Sequence, residues 1–292
     1  MHRSWQFDIH GRRMAVMEWG DPQAVPVVAL HGWLDNAASF TLLARRLPQV
    51  RLIALDLAGH GHSAHRPTGQ PYYIWDNVAD VLALVDELGL ERVALLGHSM
   101  GAGVATLFAG AFPERVGQLF LLDGLTPLDY PADQLPGQMA DALLKGARLS
   151  RRSLRPYASF EQAVAARINS RWPVSREAAR LLLERGLRQE ADGWYWRSDL
   201  ALTQPSVVRL CEQQITAFLR RLTMPVLLVM AEQGIGMARV EPWLGLVPDL
   251  ELKILAGGHH LHMEEKPAEQ IAGWLFEGLG RDEPGPGSAV DQ

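Results

Sequence analysis

The pentapeptide Gly97-His98-Ser99-Met100-Gly101 follows the apolar run Arg92-Val93-Ala94-Leu95-Leu96, and an Ala-, Leu- and Phe-rich stretch follows it up to Pro113. A short buried strand, a serine with glycine two positions away on either side, and a helix ended by proline describe one kind of turn. The chain doubles back there so tightly that side chains at 97 and 101 would strike the neighbouring strand and helix. Ser99 takes a strained backbone conformation costing about 1–3 kcal/mol, which lifts its hydroxyl out of the sheet. Any fold for this chain must accommodate that strand–turn–helix elbow.

The rest of the sequence reads as strands alternating with helices. Residues 4–9 and 12–19 form a hairpin turning at His10-Gly11; strands follow at 26–30, 51–55, 92–96 and 116–122, and helices at 37–47, 74–88 and 100–112. Short β runs separated by helices imply a mostly parallel central sheet with helices on both faces, an α/β fold with right-handed crossovers. The rhythm stops near residue 125 and returns with strand 225–230, strand 250–255 and helix 267–279. Between these points the pattern is helical and shows no β run. The reading is therefore a core of residues 1–124 and 222–280, a helical cap at 125–221 inserted between two core strands, and a disordered tail at 281–292. The cap carries 15 Lys/Arg against 10 Asp/Glu, the remainder 13 against 23. The simpler account is a solvated basic surface, with Arg148, Arg151, Arg152 and Arg155 in water, because exposed ion pairs stabilise little. The alternative is a positive lid docked on an acidic core.

A net charge of −5 gives no reason to expect a nucleic-acid partner. The single cysteine, Cys211, excludes an internal disulfide. The N-terminus has no long apolar segment and no run of 18 apolar residues occurs, so the sequence reads as a cytoplasmic protein without a membrane span. No Gly-Lys-Ser/Thr phosphate loop is present. His60, His62 and His65 cluster, as do His259, His260 and His262, but without a His-Glu-x-x-His or paired-Cys spacing, so no metal or other cofactor is expected.

A serine hydroxyl needs a base to become a nucleophile. The loop Gly257-Gly258-His259-His260-Leu261-His262-Met263 lies between the last strand and the last helix, at the sheet edge where catalytic groups gather. His259 is the candidate base, with His260 the fallback. Acyl transfer also requires donors for a developing oxyanion. The backbone N–H of Met100, at the start of the elbow helix, is one candidate; that of Trp33, in the loop His31-Gly32-Trp33-Leu34, is the other.

With these segments in place, the chain resembles the α/β-hydrolases. His-Gly-Trp-Leu stands in the oxyanion position, Gly-His-Ser-Met-Gly at the elbow, Asp56-Leu57-Ala58-Gly59-His60-Gly61-His62-Ser63 matches an Asp-x-x-Gly-x-Gly-x-Ser loop, and Gly-Gly-His precedes the final helix. The serine hydrolase-like branch fits best, near epoxide hydrolases and dehalogenases in architecture but with Ser where those enzymes use Asp. The resemblance implies a Ser-His-acid triad, whose acid usually follows the first strand after the cap. Here that segment is Ala231-Glu232-Gln233-Gly234-Ile235, with glycine in the expected Asp position. Asp123, at the end of strand 116–122, and Glu232 are the substitutes, and a chain with no acid stays open.

The expected activity is cleavage of a small-molecule carboxylic ester through an acyl-enzyme. Two other readings use the same residues: a carbon–carbon bond hydrolase acting on a diketone, and a catalytically idle ligand-binding protein. Trp172, Trp194 and Trp196 in the cap read as packing residues, with an acyl-pocket lining as the alternative.

Overall fold

A computed structural model describes residues 2–149 and 153–280. The elements run, in chain order, β1 (His2–Ile9), β2 (Arg12–Trp19), β3 (Val25–Leu30), α1 (Thr41–Ala44), β4 (Val50–Leu55), α2 (Asp76–Glu87), β5 (Val93–His98), α3 (Met100–Ala111) and β6 (Val116–Leu122). Next come α4 (Leu135–Leu149), α5 (Phe160–Ile168), α6 (Arg176–Gly186), β7 (Leu187–Glu190), β8 (Gly193–Trp196) and α7 (Glu212–Leu219). The chain continues with β9 (Val226–Gln233), α8 (Glu241–Leu244), β10 (Leu250–Gly258) and α9 (Glu265–Leu279). Among the described residues no helix is long and apolar enough to cross a membrane.

Eight strands form the main sheet in the order β1-β2-β4-β3-β5-β6-β9-β10. β1 pairs antiparallel with β2, and β2 antiparallel with β4; every other pairing is parallel. The central strands read as continuous apolar runs because helices cover both their faces. Val81, Leu84, Val104 and Phe108 of α2 and α3 pack on one face with Val28, Leu95 and Leu121. Phe40, Leu43, Ile271 and Leu275 pack on the other with Ala29, Leu96 and Phe120. Register aligns the carboxyl ends: Leu30 lies opposite Gly97, His98 opposite Leu122, and Gly258 opposite Gln233. The chain passes from β3 to β4 on one side and returns to β5 on the other. A crevice at the carboxyl ends of the strands is built into this order.

Two expectations need correction. The helix read over 37–47 is a 3₁₀ turn at Ala37–Phe40, capped by the Asn36 side chain, followed by the single turn α1. The segment between β6 and β9 also contains the hairpin β7–β8, whose register pairs Leu187 with Trp196. Its strands are four residues long and the first is mostly polar, too short for a period to show. Tyr157 bridges to Trp194 and extends the hairpin by one pairing. Trp194 and Trp196 pack on Ala163, Val164, Ala179, Leu183 and Leu187, a small separate core. Neither strand joins the main sheet.

The basic character of this inserted segment is also more than a solvated surface. Arg148 and Arg155 are exposed, as expected, and Arg151 and Arg152 lie outside the described residues. Arg185 of α6, however, is buried and bonds Asp56, itself fully buried, at 2.8 Å. Asp56 also accepts from the backbone N–H groups of Ala37 and His62, at 2.8 and 2.7 Å. The carboxylate lies so close to the backbone that a Cβ at Gly61 would fall within 2.5 Å of it, and Gly61 has φ +51°. The Asp-x-x-Gly-x-Gly loop is thus a socket for an arginine from the inserted segment.

Candidate active site

Ser99 lies between β5 and α3 with φ 53° and ψ −114°. Its two glycines are required by contact: a Cβ at Gly97 would meet Gly101 O and Ala102 Cα at 2.5 and 2.6 Å, and one at Gly101 would meet Leu30 O at 2.0 Å. Among the described residues four non-glycine residues have positive φ: His10, Leu34, Ser99 and Asp123. His10 turns the first hairpin, but the other three all stand just beyond the carboxyl ends of β3, β5 and β6. Such conformations persist only where surrounding structure imposes them.

Asp123 is fully buried, and three donors converge on its carboxylate. Ala231 N–H reaches Oδ1 at 3.0 Å, Ile235 N–H reaches Oδ2 at 2.9 Å, and His259 Nδ1 lies 2.6 Å from Oδ2. A Cβ at Gly234 would fall 2.1–2.5 Å from the same carboxylate. The glycine at the position where an acid was expected is therefore the complement of Asp123: the carboxylate from β6 fills the space. Glu232 is exposed near the end of β9, while Nδ1 of the candidate base is engaged by Asp123.

His259 is held from several sides. Its carbonyl accepts from His98 Nε2 at 2.8 Å, and Trp172, from the loop between α5 and α6, lies against its ring with centroids 4.6 Å apart. His98 is buried in contact with the rings of His259, His260 and His262. Burial first, then the neighbouring imidazoles, hold its pKa well below the ordinary value. It is neutral, with its proton on Nε2 toward the His259 carbonyl. His260, the fallback base, is fastened elsewhere: Nε2 lies 2.9 Å from Asp35 Oδ2 and 3.0 Å from Arg167 Nη2. With its proton on Nε2 it donates to Asp35, and Arg167 donates to Asp35 Oδ1 at 3.2 Å. Burial alone would raise the Asp35 pKa, but His260 and Arg167 outweigh it and hold the carboxyl below the usual range. Asp35, His98 and His260 bring ligand-type atoms within 4.8 Å of one another, with the Arg167 guanidinium already seated against two of them.

The oxyanion candidates lie on either side of the elbow. Trp33 is 53% exposed and its indole N–H donates to Leu202 O at 3.0 Å. Among the described residues no acceptor engages the backbone N–H of Trp33 or Met100. Two buried histidines fix the loop that carries Trp33. His60 accepts Leu34 N–H at 3.2 Å and donates to Ala58 O; His31 accepts Leu57 N–H at 3.0 Å and donates to Gly32 O. Burial lowers both, His60 to about 3, so each keeps a lone pair for its backbone donor. Of the first histidine cluster of the sequence, His60 thus serves, with His31, as a brace for this loop.

A family model described as the alpha/beta hydrolase fold matches residues 25–266. The chain belongs to the α/β-hydrolase family. Within this hydrolase family it is similar to serine hydrolase-like protein 2 of Homo sapiens, 35% identical over 232 residues, covering 76% of this chain and 72% of that protein. A serine hydrolase-like protein of Dictyostelium discoideum is 28% identical over 287 residues, 91% of this chain and 79% of the relative. The crystal structure of a hypothetical protein from Pseudomonas aeruginosa PAO1 superposes with a TM-score of 0.91 at 44% identity, covering 95% of this chain and 99% of that one. These likenesses place the hydrolase in the serine hydrolase-like branch. Sequence reasoning passed over Asp35, His98 and Arg167, and weighed Trp172 only as cap packing or pocket lining. His98 stood inside the elbow motif, where its position was a usable signal; Arg167 had none.

Proposed function

We propose that this hydrolase cleaves a small-molecule carboxylic ester through an acyl-enzyme, with Ser99 as nucleophile, His259 as base and Asp123 as the acid that orients it. The observation that carries the reading is the 2.6 Å approach of His259 Nδ1 to a buried, triply engaged Asp123, on the sheet edge where Ser99 is held in strain. With Nδ1–H on the carboxylate, Nε2 is left to take the Ser99 proton as Oγ attacks the ester carbonyl. The N–H groups of Trp33 and Met100 receive the negative charge that gathers on the carbonyl oxygen. His259 then returns the proton to the departing alcohol, and a water, deprotonated by the same nitrogen, releases the acid and restores Ser99. Residues 125–221 serve as the cap, Trp172 closing over the imidazole from that side.

A fluorophosphonate probe tests the reading directly. The wild-type protein is expected to be labelled at Ser99, with Ser99→Ala unlabelled and inactive on a panel of esters of graded chain length. Equal labelling of both proteins, or none of either, refutes it.

A further inference from the structure

Asp35 is buried in the loop that follows β3, two residues beyond Trp33, and a buried carboxylate needs a partner of opposite charge. That partner comes from the inserted segment. Arg167, the penultimate residue of α5 with its side chain 13% exposed, donates from Nη2 to Asp35 Oδ1 at 3.2 Å. Among the described residues no other arginine or lysine pairs with Asp35. The same guanidinium reaches further. Its Nη1 donates to Ser170 Oγ at 2.9 Å and to Trp172 O at 2.7 Å, and Ser170 Oγ donates to that carbonyl at 3.1 Å. Since α5 ends at Ile168, both acceptors belong to the loop that leaves the helix. The Trp172 ring lies against His259, centroids 4.6 Å apart and planes at 39°. One planar fork therefore spans a buried anchor beside the Trp33 loop and the backbone of the residue that covers the candidate base.

The hydrogen bond from Nδ1 to Asp123 fixes one edge of the His259 ring. An indole against the ring face restrains the tilt of the other edge, where Nε2 lies, and the indole keeps its place only as long as its loop does. Resting on the reading of Ser99 and His259 as nucleophile and base, we infer that Arg167 is a positioning residue of this hydrolase. Anchored on Asp35, it seats the Trp172 loop so that the indole holds His259 with Nε2 available to Ser99. Only a fork suits this task. Arginine directs separate N–H groups from Nη1 and Nη2, one nitrogen to the Trp172 loop and the other to Asp35. Lysine carries the same charge on a single nitrogen, which can meet the carboxylate or the carbonyl but cannot span both. Charge and rate therefore separate at position 167: a lysine there keeps the first and loses the second.

The test compares Arg167→Met, Arg167→Lys, Trp172→Ala and Arg167→Met/Trp172→Ala on a short-chain aryl ester. Each rate is expressed per Ser99 titrated by a fluorophosphonate, so that unfolded protein does not count. Both Arg167 single variants are expected to lose at least about tenfold in kcat with KM within about twofold of wild type, because a misplaced base is felt in the transition state. Fluorophosphonate labelling rates should fall in parallel. On the Trp172→Ala background, Arg167→Met should cost no more than about twofold further, since a residue acting through the indole then has nothing to hold. A wild-type kcat in Arg167→Lys overturns the proposal and assigns the arginine to charge balance alone. Losses that multiply in the double variant overturn it as well. A wild-type protein that the probe leaves unlabelled instead removes the nucleophile reading, and the proposal falls with it.

Discussion

Gly234→Ala is the substitution that most directly probes how the candidate acid is held. The new methyl would sit 2.1–2.5 Å from the Asp123 carboxylate, where an ordinary contact needs about 3.4 Å, so the carboxylate must retreat by roughly 1 Å. Three donors fix it in place, two of them backbone N–H groups that cannot follow. Bonds to charged groups contribute about 1.5–3 kcal/mol each, so the retreat strains or breaks interactions of that size. A displacement near 1 Å in a catalytic constellation costs on the order of 10²-fold in rate. We expect kcat on a short-chain aryl ester to fall by about that factor in Gly234→Ala. Asp123→Asn should cost about 10⁴-fold, because the amide favours the wrong imidazole tautomer. Fluorophosphonate labelling rates provide a second reading that does not depend on the choice of ester. A Gly234→Ala protein with a wild-type rate and a wild-type fold refutes the argument that the carboxylate's position matters.

Three further outcomes are expected. Glu232→Gln should leave kcat within about twofold of wild type, since charges on the exposed rim contribute little; a loss comparable to that of Asp123→Asn would reassign the acid. Arg185→Met leaves Asp56 buried and unpaired and should cost about 3–5 kcal/mol in urea unfolding, with Asp56→Asn/Arg185→Met less damaged than the sum of the singles. His60 and His262 are each lowered by burial to about 3. Both stay neutral in the folded chain while their unfolded counterparts take up protons below about pH 6.5, so stability falls as pH drops from 6.5 toward 3. Each histidine contributes about 1.4 kcal/mol per pH unit in that window. Urea unfolding at pH 7 and pH 5 measures it, and a flat profile would contradict the burial of these rings.

The elbow, the parallel sheet and the histidine loop were legible because each is enforced locally. Glycines at 97 and 101 answer collisions within the motif itself, and apolar runs mark strands covered on both faces. The choice between Asp123 and Glu232 was harder, since it turns on a contact between two strand ends more than a hundred residues apart. The signal was present as a pair: a glycine at 234 makes room for a carboxylate arriving from 123. Arg185 and Arg167 were unreadable because an arginine's burial depends on a distant partner, here Asp56 and Asp35. The outward exposure of Met139, Leu143 and Leu144 on α4 was equally hidden, for periodicity reports that a helix has an apolar side and not which way that side turns.

The packing of Gly234 against the Asp123 side chain has a consequence for how such proteins change over generations. One cavity at the sheet edge has room for a single carboxylate, reachable from either of two strand ends. A chain acquiring the second acid before losing the first would have to crowd two negative groups into a space that rejects even a methyl. In this chain, placing an acid at position 234 therefore requires the Asp123 side chain to be shortened or withdrawn at the same time.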